Sequence, residues 1–251
     1  MRISSQLREL LHKLRPGDSV QIIVKGTCLV GLAGYFFYKS AWACLVLLPA
    51  IVPYFIYVGN EVLDKQRWVL TLEFKELVAS VNSSIQAGYS VENAFIAAAK
   101  DMEELYGPDA AIVEELGNIT RGLANHIGIS TLLDSFGQRC DIGEISEFAG
   151  ILAIGKHSGG NIVDIMNSYV ATIDEKVEVM QEIETMVSAR KFEQKIMNAI
   201  PFVILFYVEA TCPGFFDVLY HNLAGALVMS VALLLYVMSV LLSKRMIKIT
   251  L

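Results

Sequence analysis

The chain has 251 residues, a formal charge of −6 and 54% hydrophobic residues. That composition is too apolar for an ordinary soluble domain, and the acidic balance excludes a basic nucleic-acid footprint. Residues 61–195 hold 22 acidic and 11 basic residues while the rest hold 4 and 9, so an acidic domain lies between apolar, basic flanks.

Residues 1–19 place Ile3, Leu7, Leu10, Leu11 and Leu14 on one helical face and Arg8, Lys13 and Arg15 elsewhere. This reads as a basic amphipathic helix for an anionic membrane surface, ended by Pro16-Gly17. Residues 20–60 carry two apolar stretches, 22–38 and 41–58. Residues 196–251 carry two more, 196–216 and 223–242, before a basic tail. A helix needs roughly 17–25 residues to cross a hydrocarbon core, so each stretch is read as a transmembrane helix. Basic residues precede the first and third stretches and follow the second and fourth, which places both termini and residues 61–195 on the cytoplasmic side of the plasma membrane. Pro49, Pro53, Pro201 and Pro213 predict kinks. Glu209 is the intramembrane polar candidate, either a buried polar contact or a group near the outer interface.

In residues 61–195 apolar positions recur at helical spacing. Leu70, Phe74, Leu77, Val78, Val81 and Ile85 mark one helix. Val91, Ala94, Phe95, Ala98 and Met102 mark the next, which Gly107-Pro108 breaks. A third carries Ile112, Leu116 and Ile119, and a short fourth carries Leu132, Leu133 and Phe136. Asp141-Ile142-Gly143-Glu144 reads as a capping box opening a fifth, with Ile145, Phe148, Ala149 and Leu152. A long helix follows, with Met166, Val170, Ile173, Val177, Met180 and Val187, continuing into the third apolar stretch. Three turns share one pattern: Gly88-Tyr89-Ser90, Gly128-Ile129-Ser130 and Gly159-Gly160-Asn161. Each reads as a left-handed helix stop, a linker and an N-cap, as tight antiparallel helix hairpins need. Turn chemistry alone suffices to explain them. The fold expected is an all-α membrane protein, four transmembrane helices bracketing one cytoplasmic antiparallel helical bundle.

The stretches 77–95 (LVASVNSSIQAGYSVENAF), 122–136 and 151–169 (ILAIGKHSGGNIVDIMNSY), followed by a long charged helix, Ala189-Arg190-Lys191 and Ile200-Pro201, resemble the type II secretion F-domain family. These are the platform proteins of type II secretion, type IV pilus and tight-adherence pilus machines. The matching positions are Gly88, Ser90, Ala94, Gly159, Gly160 and Asn161. One domain copy, where longer relatives carry two, looks more like the tight-adherence branch. The resemblance implies a non-enzymatic plasma-membrane platform coupling a cytoplasmic motor ATPase to pilin assembly. It also implies pilin-like subunits, and a paralogous platform protein or a second copy of this chain, as partners.

No GxxxxGK[ST], GxSxG or HExxH motif is present, and His157 and Ser158, being adjacent on a helix, do not face each other. Cys28, Cys44, Cys140 and Cys212 form no ligand spacing, so no cofactor or metal is expected. Glu103, Glu104, Glu114 and Glu115 could offer metal ligands, but solvated helix faces explain them better. They form a candidate acidic surface for a basic partner such as the motor. The alternative reading is a small transporter or channel component using Glu209 and the proline-kinked spans.

Overall fold

Apolar residues three and four apart along most of residues 64–180 leave each segment one face to bury, and helices packed face to face are the outcome. The computed structural model describes residues 19–28, 31, 51–157, 162–212, 214–215 and 223–248. Among them the long helices are α1 (Ile51–Gln86), α2 (Val91–Tyr106), α3 (Ala111–Ala124), α4 (Ile129–Cys140), α5 (Gly143–His157), α6 (Ile162–Thr211) and α7 (Leu223–Lys248). The amphipathic N-terminal helix expected over residues 3–15 lies outside the described residues.

The chain divides into two compact units. One is Asp64–Met180. Its core takes Phe74, Leu77 and Val78 from α1, Phe95 from α2, and Ile112 and Leu116 from α3, all at most 1% exposed. Aromatic rings organise the other side. Phe74 stands edge-on to Phe136 of α4 at 6.4 Å and to Phe148 of α5 at 5.6 Å. Phe148 lies 4.7 Å from Tyr169 of α6, whose hydroxyl donates to the Glu144 carbonyl at 2.9 Å. The ring is buried and its one polar atom is satisfied, as an enclosed tyrosine requires. Ion pairs rim this core: Lys75–Asp174 at 3.0 Å joins α1 to α6, and Lys176–Glu144 at 2.7 Å joins α6 to α5.

The other unit comprises the residues before Asp64 and after Met180. Ile22 and Phe55 are its buried apolar pair near the start. Further along, α6 and α7 run antiparallel. Gln194 donates to Ser243 at 2.8 Å, Tyr236 donates to the Asn198 carbonyl at 2.9 Å, and Phe202 meets the Tyr236 ring edge-to-face at 5.5 Å. Away from that contact both helices expose large apolar side chains, among them Val203, Phe206, Tyr207, Leu227, Leu234 and Leu242.

The four-span architecture is corrected by the helices observed. Among the described residues no helix is long and apolar enough to cross a membrane. In α6 the apolar run between Lys195 and Glu209 measures about 20 Å at 1.5 Å per residue, against a hydrocarbon core of about 30 Å. α1 reaches Glu61 about three turns after its start, and residues 41–50 of the second stretch lie outside the described residues. So do most residues of the first stretch. What holds is the all-α bundle.

Close backbone approach sets the sharpest packing requirement. A Cβ on Gly137 of α4 would lie 2.8 Å from the Ser146 backbone nitrogen of α5, whereas one on Gly122 would meet only the flexible end of Leu132. We predict that Gly137→Ala lowers stability by about 1–3 kcal/mol through overpacking, while Gly122→Ala costs less because Leu132 can turn away and alanine favours helix. Urea midpoints of the two full-length variants check the order; equal midpoints would refute the close α4–α5 contact.

Candidate functional site

The turn chemistry singled out in the sequence divides into three outcomes. Gly88 adopts φ +94°, and Ser90 caps α2 by accepting from the Asn93 amide at 3.4 Å. The Tyr89 amide returns to the Ser84 carbonyl at 3.1 Å, closing the end of α1. The second turn is built otherwise. Gly128 sits at the N-cap of α4 with an ordinary φ of −62°, and Ser130 lies inside the helix without capping it. The left-handed residue there is His126, φ 60°, which lets the Ile127 amide reach the Gly122 carbonyl at 3.1 Å. The stop thus falls two residues earlier than the glycine suggests. Gly159, Gly160 and Asn161 lie outside the described residues.

The capping box is also corrected. Asp141 closes α4 in the left-handed conformation, φ 57° and ψ 47°, and its carboxylate takes the Arg67 guanidinium of α1. Glu144 turns to Lys176, and the Asp141 amide three residues earlier bonds the Gly137 carbonyl instead. A polar residue three before a glutamate carries the same letters whether it starts a helix or ends one, and only the left-handed backbone decides.

The candidate acidic surface is not one surface. Glu103 and Glu104 are exposed near the end of α2, and Glu114 is exposed on α3. The Glu115 side chain is only 16% exposed and is held by Arg139 of α4. It serves the α3–α4 contact, not a partner. Next to Arg139 in the chain is Cys140, whose thiol is pushed up to about 11 by burial first and by Glu115 next. That thiol is a packed apolar group, not a nucleophile. Glu209 is half-buried near the end of α6.

Two polar features escaped the sequence reading. Asn82 and Gln86 of α1 both donate to the Asn167 side-chain oxygen of α6, at 2.9 and 2.8 Å. Glu73 of α1 is buried among the core residues, and its Oε2 meets no hydrogen-bond partner. α3 opens on Ala110-Ala111, with no polar residue to cap it. Among the described residues no group of three or more His, Cys, Asp or Glu is placed to hold a metal ion. This unit is rich in charge. It has 18 acidic and 8 basic residues, and Arg67, Lys75, Arg139 and Lys176 are already engaged by its own carboxylates.

Set beside family models, curated proteins and solved structures, the chain matches none.

The Glu144 carboxyl is pushed up by burial, but the Lys176 ammonium and backbone bonding outweigh this and hold it below the ordinary glutamate range. A lowered folded value stabilises above the ordinary range, and that stability is lost as pH falls through the lowered value. Lys176→Met should therefore melt below wild type at neutral pH and converge with it in acid. Thermal melts across the acid limb check this, and a constant gap at every pH would remove the pair from the account.

Proposed function

We propose that this chain is a non-enzymatic platform protein of a secretion or tight-adherence pilus machine, working at the plasma membrane beside a cytoplasmic motor ATPase. The observation that carries this reading is the hairpin at Gly88-Tyr89-Ser90. It lies within one of the stretches that resemble the F-domain family, and it folds as helix, left-handed glycine and serine-capped helix. The surrounding bundle is acidic, and four of its eight basic residues are held by its own carboxylates. A basic motor surface would then meet Glu103 and Glu104 as free charge, with complementarity speeding encounter more than holding the complex.

The exposed apolar side chains of α6 and α7 support attachment at the membrane. Arg190, Lys191 and Lys195 precede the apolar run of α6, where anionic headgroups favour cations. On this reading residues 61–195 face the cytoplasm, and pilin-like subunits and a paralogous platform protein or second copy complete the assembly.

Charge reversal at Glu103 and Glu104 should reduce co-purification of the motor with the full-length chain, more strongly at low salt than at high salt because exposed charges are screened beyond about 10 Å at 0.1 M. Retention unchanged at every ionic strength would remove these residues from the contact. Deletion of the gene with pilin assembly intact would sink the platform role itself.

A further inference from the structure

The last turn of α2 stands clear of the bundle. Met102 is the last buried residue of that helix, and Glu103, Glu104, Leu105 and Tyr106 after it are all exposed. Four successive positions at about 100° apiece go right round the helix axis, so no side of this turn is closed over by a neighbouring helix. Leu105 is 62% exposed and Tyr106 38%. The turn is nonetheless held in shape. The Gly107 amide donates to the Glu103 carbonyl at 2.9 Å, and Gly107 then swings the chain at φ +82° into the exposed Pro108.

The charge around this turn has one sign. Residues 101–120 hold six acidic residues and no lysine, arginine or histidine. Asp101 is engaged by Ser80 and Glu115 by Arg139, whereas Glu103, Glu104, Asp109 and Glu114 face water. A positively charged surface is therefore the complement of this corner. Steering charge speeds an encounter more than it holds the product, and the holding falls to apolar side chains that lose their water in the contact. Leu105 and Tyr106 are placed for that, inside the acidic surround. Ile154 of α5 is as exposed, at 68%, but residues 148–157 around it carry no acid.

On the reading that a motor ATPase binds this unit, we propose that Leu105, with Tyr106 beside it, is the apolar anchor of that contact. The projecting turn enters an apolar cleft on the motor, and the basic rim of that cleft meets Glu103, Glu104, Asp109 and Glu114.

Retention of the motor on the full-length chain at low and at high salt tests this, comparing wild type with Leu105→Ser and Ile154→Ser. Both side chains are exposed, so the urea midpoints of the variants should match wild type. Leu105→Ser should lose about tenfold in retention, the effect of one well-placed anchor. The loss should be equal at both salts, because an apolar contact is not screened, whereas charge reversal at Glu103 and Glu104 tells mainly at low salt. Ile154→Ser should retain the motor as wild type does. Unchanged retention in Leu105→Ser, or a loss confined to low salt, would overturn the anchor and leave charge steering in place. Equal loss in Ile154→Ser would mark general apolar adhesion and overturn it as well. So would a lowered midpoint in Leu105→Ser, which would make that side chain part of the fold. A wild-type chain that retains no motor at either salt would bring down the platform reading itself, and the anchor with it.

Discussion

The bundle of Asp64–Met180 depends on one ring contact more than on any other: Phe74 of α1 packed edge-on between Phe136 and Phe148. Full burial of such a side chain is worth about 1.5–3 kcal/mol, and three helices meet at this one. A fourth joins through Tyr169, which must bring its hydroxyl to a carbonyl before its ring can be enclosed, and that condition fixes α6 against the start of α5. The ion pairs follow from this geometry. Lys75 and Lys176 find carboxylates on neighbouring helices because the rings have already set those helices side by side.

The apolar periodicity made the helices and most of their buried faces legible: Phe74, Phe95, Leu116, Phe136, Phe148 and Met166 are core in pattern and in place. Periodicity reads well because burial is the same demand at every turn of a helix. The turns were legible where a glycine and a serine act within their own loop, as at Gly88 and Ser90. They were not where a non-glycine residue takes the left-handed conformation, as His126 and Asp141 do. Local sequence carries no mark of that choice, which is set by the helices on either side.

The acidic site was legible as composition and misjudged in detail. Glu114 and Glu115 are neighbours in sequence, but successive helix positions are about 100° apart, so one faces water and the other Arg139. Glu73 was invisible for the opposite reason: nothing in the charged pattern marks it as enclosed, and only the packed helices bury it. The transmembrane reading failed on length. Hydropathy averages over a window, whereas a span needs an unbroken apolar cylinder, and Lys195 and Glu209 bound too short a one in α6.

Pro201 removes an amide from the last quarter of α6, leaving the carbonyl four residues earlier without its usual donor. One residue beyond that point, the Asn198 carbonyl receives the Tyr236 hydroxyl from α7, and a second polar tie joins Gln194 to Ser243. Apolar faces alone slide, because dispersion contacts are nearly indifferent to a small axial shift. Two directional bonds a turn apart are not. A load applied along α6 is therefore shared with α7 in fixed step, and the hairpin yields as a single strut rather than as two rods slipping past each other.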